Sequence, residues 1–173
     1  PGDEDINSLL TAANPQYIVL NSQNKTAKKT HDGVNVDFGG IAKGYALDVC
    51  RRIADKHNIK CGTIDIAGNI YVINRYCVNG ADRKYNIDIT DPRAKENNNA
   101  FFARVLLEET SISVSGDYER YFIKDGVRYC HVINPHTGRP VDNGVCSVIV
   151  CGKDAARADA YSTAVMVMGA QEG

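Results

Sequence analysis

Asp159 and Thr163 stand four residues apart in the run Ala158-Asp159-Ala160-Tyr161-Ser162-Thr163-Ala164. On a helix this spacing puts both side chains on one face. A carboxylate and a hydroxyl, joined by a backbone carbonyl, make a hard oxygen set suited to magnesium rather than zinc. The small residues Ala158 and Ala160 leave room for an ion. The plainer reading of the same pair is a cap-like hydrogen bond from Thr163 to Asp159. A second cluster, Asp37-Phe38-Gly39-Gly40-Ile41-Ala42-Lys43-Gly44-Tyr45-Ala46, reads as a strand end, a glycine turn and a helix start with a lysine in its first turn. Free amides at a helix start favour anions, and glycines let a ligand approach the backbone. The order of residues is neither a P-loop nor the dinucleotide fingerprint. A phosphate site and a tight turn with a solvated lysine both remain open.

Two further clusters add candidate chemistry. Ser113-Val114-Ser115-Gly116-Asp117-Tyr118-Glu119-Arg120 could present backbone and hydroxyl donors to a ligand, or simply end a strand with an Asp117 turn. His131-Val132-Ile133-Asn134-Pro135-His136-Thr137-Gly138 places a histidine on a strand before a turn. Facing a pocket, His131 could accept a proton near neutral pH; otherwise it is a packed structural histidine. His131 and His136 together match no strong zinc spacing.

These clusters need elements to hold them. Ile6, Leu9, Leu10 and Ala13 follow helical spacing, and Asn14-Pro15 ends that helix. Ala46, Leu47, Cys50, Ile53, Ala54 and His57 form the apolar face of a second helix of about four turns, with Asp48, Arg51, Arg52 and Asp55 off it. Asp154 is a good N-cap for a third, whose residues Ala158, Tyr161, Ser162, Val165 and Met168 share a face. Strands are expected at residues 17–20, 34–38, 63–66, 70–73, 85–90, 100–107, 111–114, 121–124, 128–133 and 145–150. Asp125-Gly126 supplies a tight hairpin turn, and Asn97-Asn98-Asn99 a polar loop tip. Many strands with short connections and few helices predict an α+β fold with largely antiparallel sheet.

At 173 residues the chain is long enough for a real core, and 43% apolar with 24% charged residues excludes wholesale disorder. A net charge of -1 argues against binding duplex nucleic acid or a polybasic membrane contact, but leaves small anionic ligands open. The longest apolar stretch, from Val145 to Cys151, is strand-length, so no segment reads as membrane-spanning. Six cysteines permit disulfides, yet no Cys-x-x-Cys occurs, and Cys130, Cys146 and Cys151 fall in apolar strand-like runs. Most of the cysteines are therefore expected to be buried free thiols acting as small hydrophobes.

Taken together and in order, the four clusters and the run Ile66-Ala67-Gly68-Asn69-Ile70 resemble the ApbE family of flavin transferases over nearly the whole chain. The resemblance implies an enzyme that cleaves FAD at its pyrophosphate with magnesium, transfers FMN to a threonine or serine hydroxyl of a target redox protein, and releases AMP. It implies the duplicated T-fold-like α+β architecture of that family. It also implies an exported protein or lipoprotein on the outer side of the bacterial cytoplasmic membrane. On this sequence, Asp159, Thr163 and the Ala42 carbonyl would hold magnesium. Gly39, Gly40, Lys43, Ser115, Gly116, Asp117, His131 and Val132 would lie along the flavin nucleotide, with His131 as the base on the acceptor hydroxyl. Ala67 departs from the family's usual glycine. Residues 1–173 are expected to be a single domain truncated at both ends, because no counterpart of the family's N-terminal portion or final strand region is present. Alternatives are an FAD pyrophosphatase giving FMN and AMP, a non-catalytic flavin-binding module, and a structural module of a larger reductase chain.

Overall fold

The computed structural model describes residues 2–94 and 100–173. Acids at Asp3, Glu4 and Asp5 favour the start of helix α1 (Asp3–Ala12), and Asn14 then opens a short 3-10 turn by accepting from the Gln16 amide. Strand β1 (Ile18–Asn21) pairs with β2 (Thr26–Lys29). Helix α2 (Ala42–Lys56) leads to β3 (Gly62–Ile66) and β4 (Asn69–Ile73). Next come β5 (Tyr76–Val78), β6 (Ala81–Arg83), β7 (Tyr85–Thr90), β8 (Phe101–Leu107) and β9 (Thr110–Gly116). The chain then forms β10 (Tyr121–Lys124), β11 (Val127–Cys130), β12 (Ser147–Gly152) and helix α3 (Ala155–Glu172).

The central sheet has the order β12-β9-β4-β3, and every pairing in it is antiparallel. The remaining strands form hairpins: β1 with β2, β5 with β6, β7 with β8 and β10 with β11. This is the α+β, antiparallel architecture read from the sequence. Helix α2 lies over β3 and β4, and α3 over β9 and β12. Leu47 and Ala54 of α2 and Ala155 of α3 meet Tyr71 and Ile73 of β4, with Ile64 and Ile66 around them. Farther along α3, Met166 packs with Cys130 and Val132. The Asp125-Gly126 hairpin forms as expected, both residues taking positive φ (52° and 77°).

Several local expectations are corrected. Residues 34–38 alternate apolar and polar but join no strand ladder; Val34 is buried and the rest of the segment is exposed. The partner of β1 is instead the polar strand β2. The expected strand at residues 128–133 ends at Cys130, so His131 lies just beyond β11, and Ile133 makes only an isolated bridge to Pro140. The buried face of α3 runs through Ala155, Ala158, Asp159, Ser162 and Met166, while Tyr161 and Met168 are exposed. Hairpin β5–β6 was not expected, although Asn79-Gly80 is a hairpin turn pair. All six cysteines are free as expected, but Cys130 alone is buried; Cys61, Cys77 and Cys151 are exposed. The loop tip expected at Asn97-Asn98-Asn99 lies outside the described residues.

Candidate functional site

Helices α2 and α3 cap each other. The N-cap of α2 is Ile41, which has no side chain able to accept from the orphan amides of the first turn. Asp159 of α3 fills that role: its Oδ2 accepts from the Gly44 amide at 2.9 Å. In return, Asp48 of α2 accepts from the Ala155 and Ala156 amides at the start of α3, both at 3.0 Å. Asp154 takes the Arg157 amide at 2.9 Å, so three amides of the first turn of α3 are satisfied. This exchange requires close approach at Gly44. A Cβ there would lie 2.7 Å from both the Ala155 carbonyl carbon and the Asp159 Cβ, and closer still to the Ala155 oxygen.

Asp159 is 2% exposed, and among the described residues no cation pairs with it. Its second oxygen, Oδ1, accepts from Asn69 Nδ2 at 2.8 Å. The carboxylate is thus held in the fold by two N–H donors and the positive end of α2 rather than by a full positive charge. One turn on, Thr163 Oγ1 lies 3.1 Å from Ser115 Oγ, which is also 2.7 Å from Ser162 Oγ. Ser162 donates to the Asp159 carbonyl at 2.8 Å, closing a hydroxyl chain between β9 and α3.

Asp159 and Thr163 open onto a cavity of about 600 Å³. Ala42 and Lys43 from the first turn of α2, the Gly39-Gly40 turn, Ser115, His131 and Val132 line the same space. The turn is set by Asp37, whose Oδ1 accepts from the Gly39 amide at 2.6 Å. Hairpin β10–β11 carries His131 at its base. The His131 backbone N–H donates to the Arg120 carbonyl at 3.0 Å, and its Nδ1 lies 3.2 Å from the same oxygen. A carbonyl can only accept, so Nδ1 carries the proton and Nε2 of the neutral ring keeps its lone pair. The residues lining the cavity include three acids, Asp37, Glu119 and Asp159, and two bases, Lys43 and Arg120.

The fold therefore brings together Gly39, Gly40, Ala42, Lys43, Ser115, His131, Val132, Asp159 and Thr163. Gly116 and Asp117 stand outside the cavity wall. Gly116 faces the Tyr118 ring, where a Cβ would meet Cδ1 at 2.8 Å. The Asp117 carboxylate binds Arg93 through two bonds of 2.6 and 2.7 Å, and this contact raises the arginine's pKa. Four residues that hold the site had no assigned role in the sequence reading: Gly44, Asp48, Asn69 and Ser162. Their signals were present but faint: a glycine one turn into a helix, an acid off the apolar face, an asparagine closing a turn, and a serine three residues after the aspartate. Among the described residues no three His, Cys, Asp or Glu side chains group as metal ligands. A cation here would rest on one carboxylate, a hydroxyl, a carbonyl and water, a set that fits magnesium, which keeps several waters.

The ApbE family model matches residues 1–173. An FAD:protein FMN transferase from Vibrio cholerae is 33% identical over 177 residues, covering 100% of this chain and 50% of that protein. Its counterpart in Escherichia coli K12 is 31% identical and is covered to 48%, for 99% of this chain. The crystal structure of the ApbE protein from Thermotoga maritima superposes with a TM-score of 0.87 at 36% identity, covering 99% of this chain and 53% of that one. The apo form of the Pseudomonas stutzeri flavinyl transferase ApbE gives 0.82 at 30% identity, covering 99% of this chain and 51% of that one. The chain spans about half the length of the relatives it matches.

Proposed function

The chain belongs to the ApbE family, and from that premise we propose that it carries the metal-binding and acceptor-activating part of an FAD:protein FMN transferase. In this reading a threonine or serine hydroxyl of a target redox protein attacks the FMN phosphorus of FAD. A new O–P bond forms, the P–O bond to AMP breaks, and AMP leaves with the bridging oxygen. The acceptor's proton passes to His131 Nε2, the ring nitrogen left with a lone pair. Lys43 lies on the same cavity wall, where it can meet a phosphate oxygen.

The observation that carries this reading is the buried Asp159 carboxylate with no cationic partner among the described residues, opening with Thr163 onto a cavity that His131 shares. A pyrophosphate entering a wall with more carboxylates than cations would be repelled without an added positive charge. Magnesium held by Asp159, Thr163 and the Ala42 carbonyl would neutralise charge developing on the pyrophosphate oxygens. The chain's own residues would do the rest: the Gly39-Gly40 turn admits the nucleotide to the backbone, Ser115 orients Thr163, and the Arg120 carbonyl fixes the His131 tautomer.

The test is to incubate the full chain with FAD, magnesium and a protein bearing a threonine acceptor, then to look for flavin fluorescence on the denatured acceptor. Covalent fluorescence together with AMP supports the proposal. Free FMN and AMP without labelled acceptor would replace it with hydrolysis, water taking the place of the hydroxyl. Neither product, with FAD bound, would overturn both.

A further inference from the structure

Asn69 is fully buried and touches three elements at once. It opens β4, directly after the turn formed by Ala67 and Gly68 at φ 50° and 87°. The ladder between β4 and β9 stops at Ile70 opposite Ile112. Beyond that point the Asn69 side chain takes over from the backbone: Oδ1 accepts from the Val114 amide of β9 at 3.2 Å. With that oxygen engaged, the amide group has one orientation, and Nδ2 is turned toward α3, donating to Asp159 Oδ1 at 2.8 Å. The Gly44 amide holds the other oxygen at 2.9 Å. The carboxylate is pinned from both sides, one donor fixed by a helix start and the other by a sheet edge. Ser115 follows Val114 on β9 and reaches Thr163 at 3.1 Å, so the same strand that locks Asn69 also sets the second oxygen donor.

We propose that Asn69 is a positioning residue for the divalent-cation site: its amide sets the plane of the Asp159 carboxylate and directs the remaining lone pairs into the cavity beside Thr163. This rests on the reading of Asp159 and Thr163 as magnesium ligands. Residues that orient a metal ligand typically change metal affinity by about 10- to 100-fold when removed.

The test is titration calorimetry of the full chain with magnesium and with manganese, without flavin or acceptor, for the wild type, Asn69→Ala and Asp159→Ala. Asn69→Ala should weaken binding at least about tenfold, with a circular dichroism spectrum like that of the wild type. It should also raise the magnesium concentration that half-saturates transfer while leaving the rate at saturating metal within a few-fold. Unchanged metal affinity in folded Asn69→Ala, with binding abolished in Asp159→Ala, overturns the positioning role alone. Unchanged affinity in Asp159→Ala overturns the metal site on which it rests. If Asn69→Ala does not fold, the wild type still decides. Its Asn69 side-chain amide protons should exchange slowly and shift on addition of magnesium, and resonances that stay put while calorimetry records binding refute the proposal.

Discussion

Replacing Gly44 by alanine tests whether the two helices really meet as closely as the site demands, because two physical effects predict opposite signs. In an ordinary helix interior the change is favourable by about 1 kcal/mol, since alanine loses less backbone entropy than glycine. Here the new Cβ would lie 2.7 Å from the Ala155 carbonyl carbon and from the Asp159 Cβ. Both neighbours belong to α3 and neither is the free end of a flexible side chain, so relief requires the helices to part by roughly 1 Å to restore an ordinary contact. Overpacking of this kind costs about 1–3 kcal/mol. The same separation stretches the bond from the Gly44 amide to Asp159, a hydrogen bond to a charged group worth about 1.5–3 kcal/mol. The losses exceed the propensity gain, leaving a net destabilisation of about 1.5–5 kcal/mol. For a chain of this size that corresponds to a fall in thermal midpoint of roughly 3–20 °C. Calorimetric melting of Gly44→Ala beside the wild type reads the sign directly, and magnesium titration of the same samples should show weaker binding because Asp159 moves with α3. An unchanged or raised midpoint would refute the close approach of α2 and α3 at this residue, and with it the account of how Asp159 is held.

Other consequences are sharper on activity than on stability. Asp159→Ala should abolish magnesium binding and reduce transfer to background, read by flavin fluorescence on the acceptor; transfer at the wild-type rate would remove Asp159 from the site. His131→Gln should slow transfer by about 10² to 10⁴ while FAD affinity changes little, as expected for loss of a general base. Asp48→Ala removes two amide bonds at the start of α3 and should cost about 1 kcal/mol, read as a lower midpoint, with Asp48→Asn closer to the wild type. Hydrogen bonds from Arg104 and Arg75 hold the Asp88 and Glu108 carboxyls below their ordinary values. A depressed folded value stabilises above the unfolded pKa of about 4 and is lost as pH falls through the folded one. The midpoint should therefore drop from pH 5 toward pH 3, less steeply in the double variant Asp88→Asn, Glu108→Gln.

Legibility of the fold followed the range of the interactions involved. Helix α2 was plain from its apolar period, yet its buried residues are Gly44, Leu47 and Ala54, and Ile53 on the expected face is exposed. A carboxylate off the apolar stripe reads as solvent-facing, yet the partners of Asp48 are amides 107 and 108 residues away. No local pattern carries such a pairing. The alternation at residues 34–38 is a genuine strand signal, but it says nothing of a partner, and β1 pairs with the polar β2 instead. The candidate site was more legible than its supports. Asp159, Thr163 and His131 stood out by residue type and spacing, whereas Asn69 and Ser162 matter through hydrogen bonds that only the assembled sheet and helices define. Asp117 shows the opposite case: it sits in a suggestive motif, but an arginine from a distant loop claims its carboxylate.

The supports explain why a carboxylate can be buried at Asp159 at all. Taking an ionised carboxylate out of water without compensation is prohibitive, and the usual remedy is a paired cation. Here two N–H donors and a helix start supply partial positive charge, enough to keep the group in place but short of a full counter-charge. Each of those donors is itself fixed by tertiary structure: the Gly44 amide by the contact of α2 with α3, the Asn69 amide by its hold on Val114 of β9. In the proposed reading the arrangement would favour a bound divalent cation in two ways. It leaves charge to be neutralised at the cavity wall, and it has already spent the conformational freedom of the ligand in folding. Displacing the asparagine or the serine chain to Thr163 should weaken cation binding before it unfolds the sheet, since the hydrophobic clusters around Leu47 and Met166 contain neither.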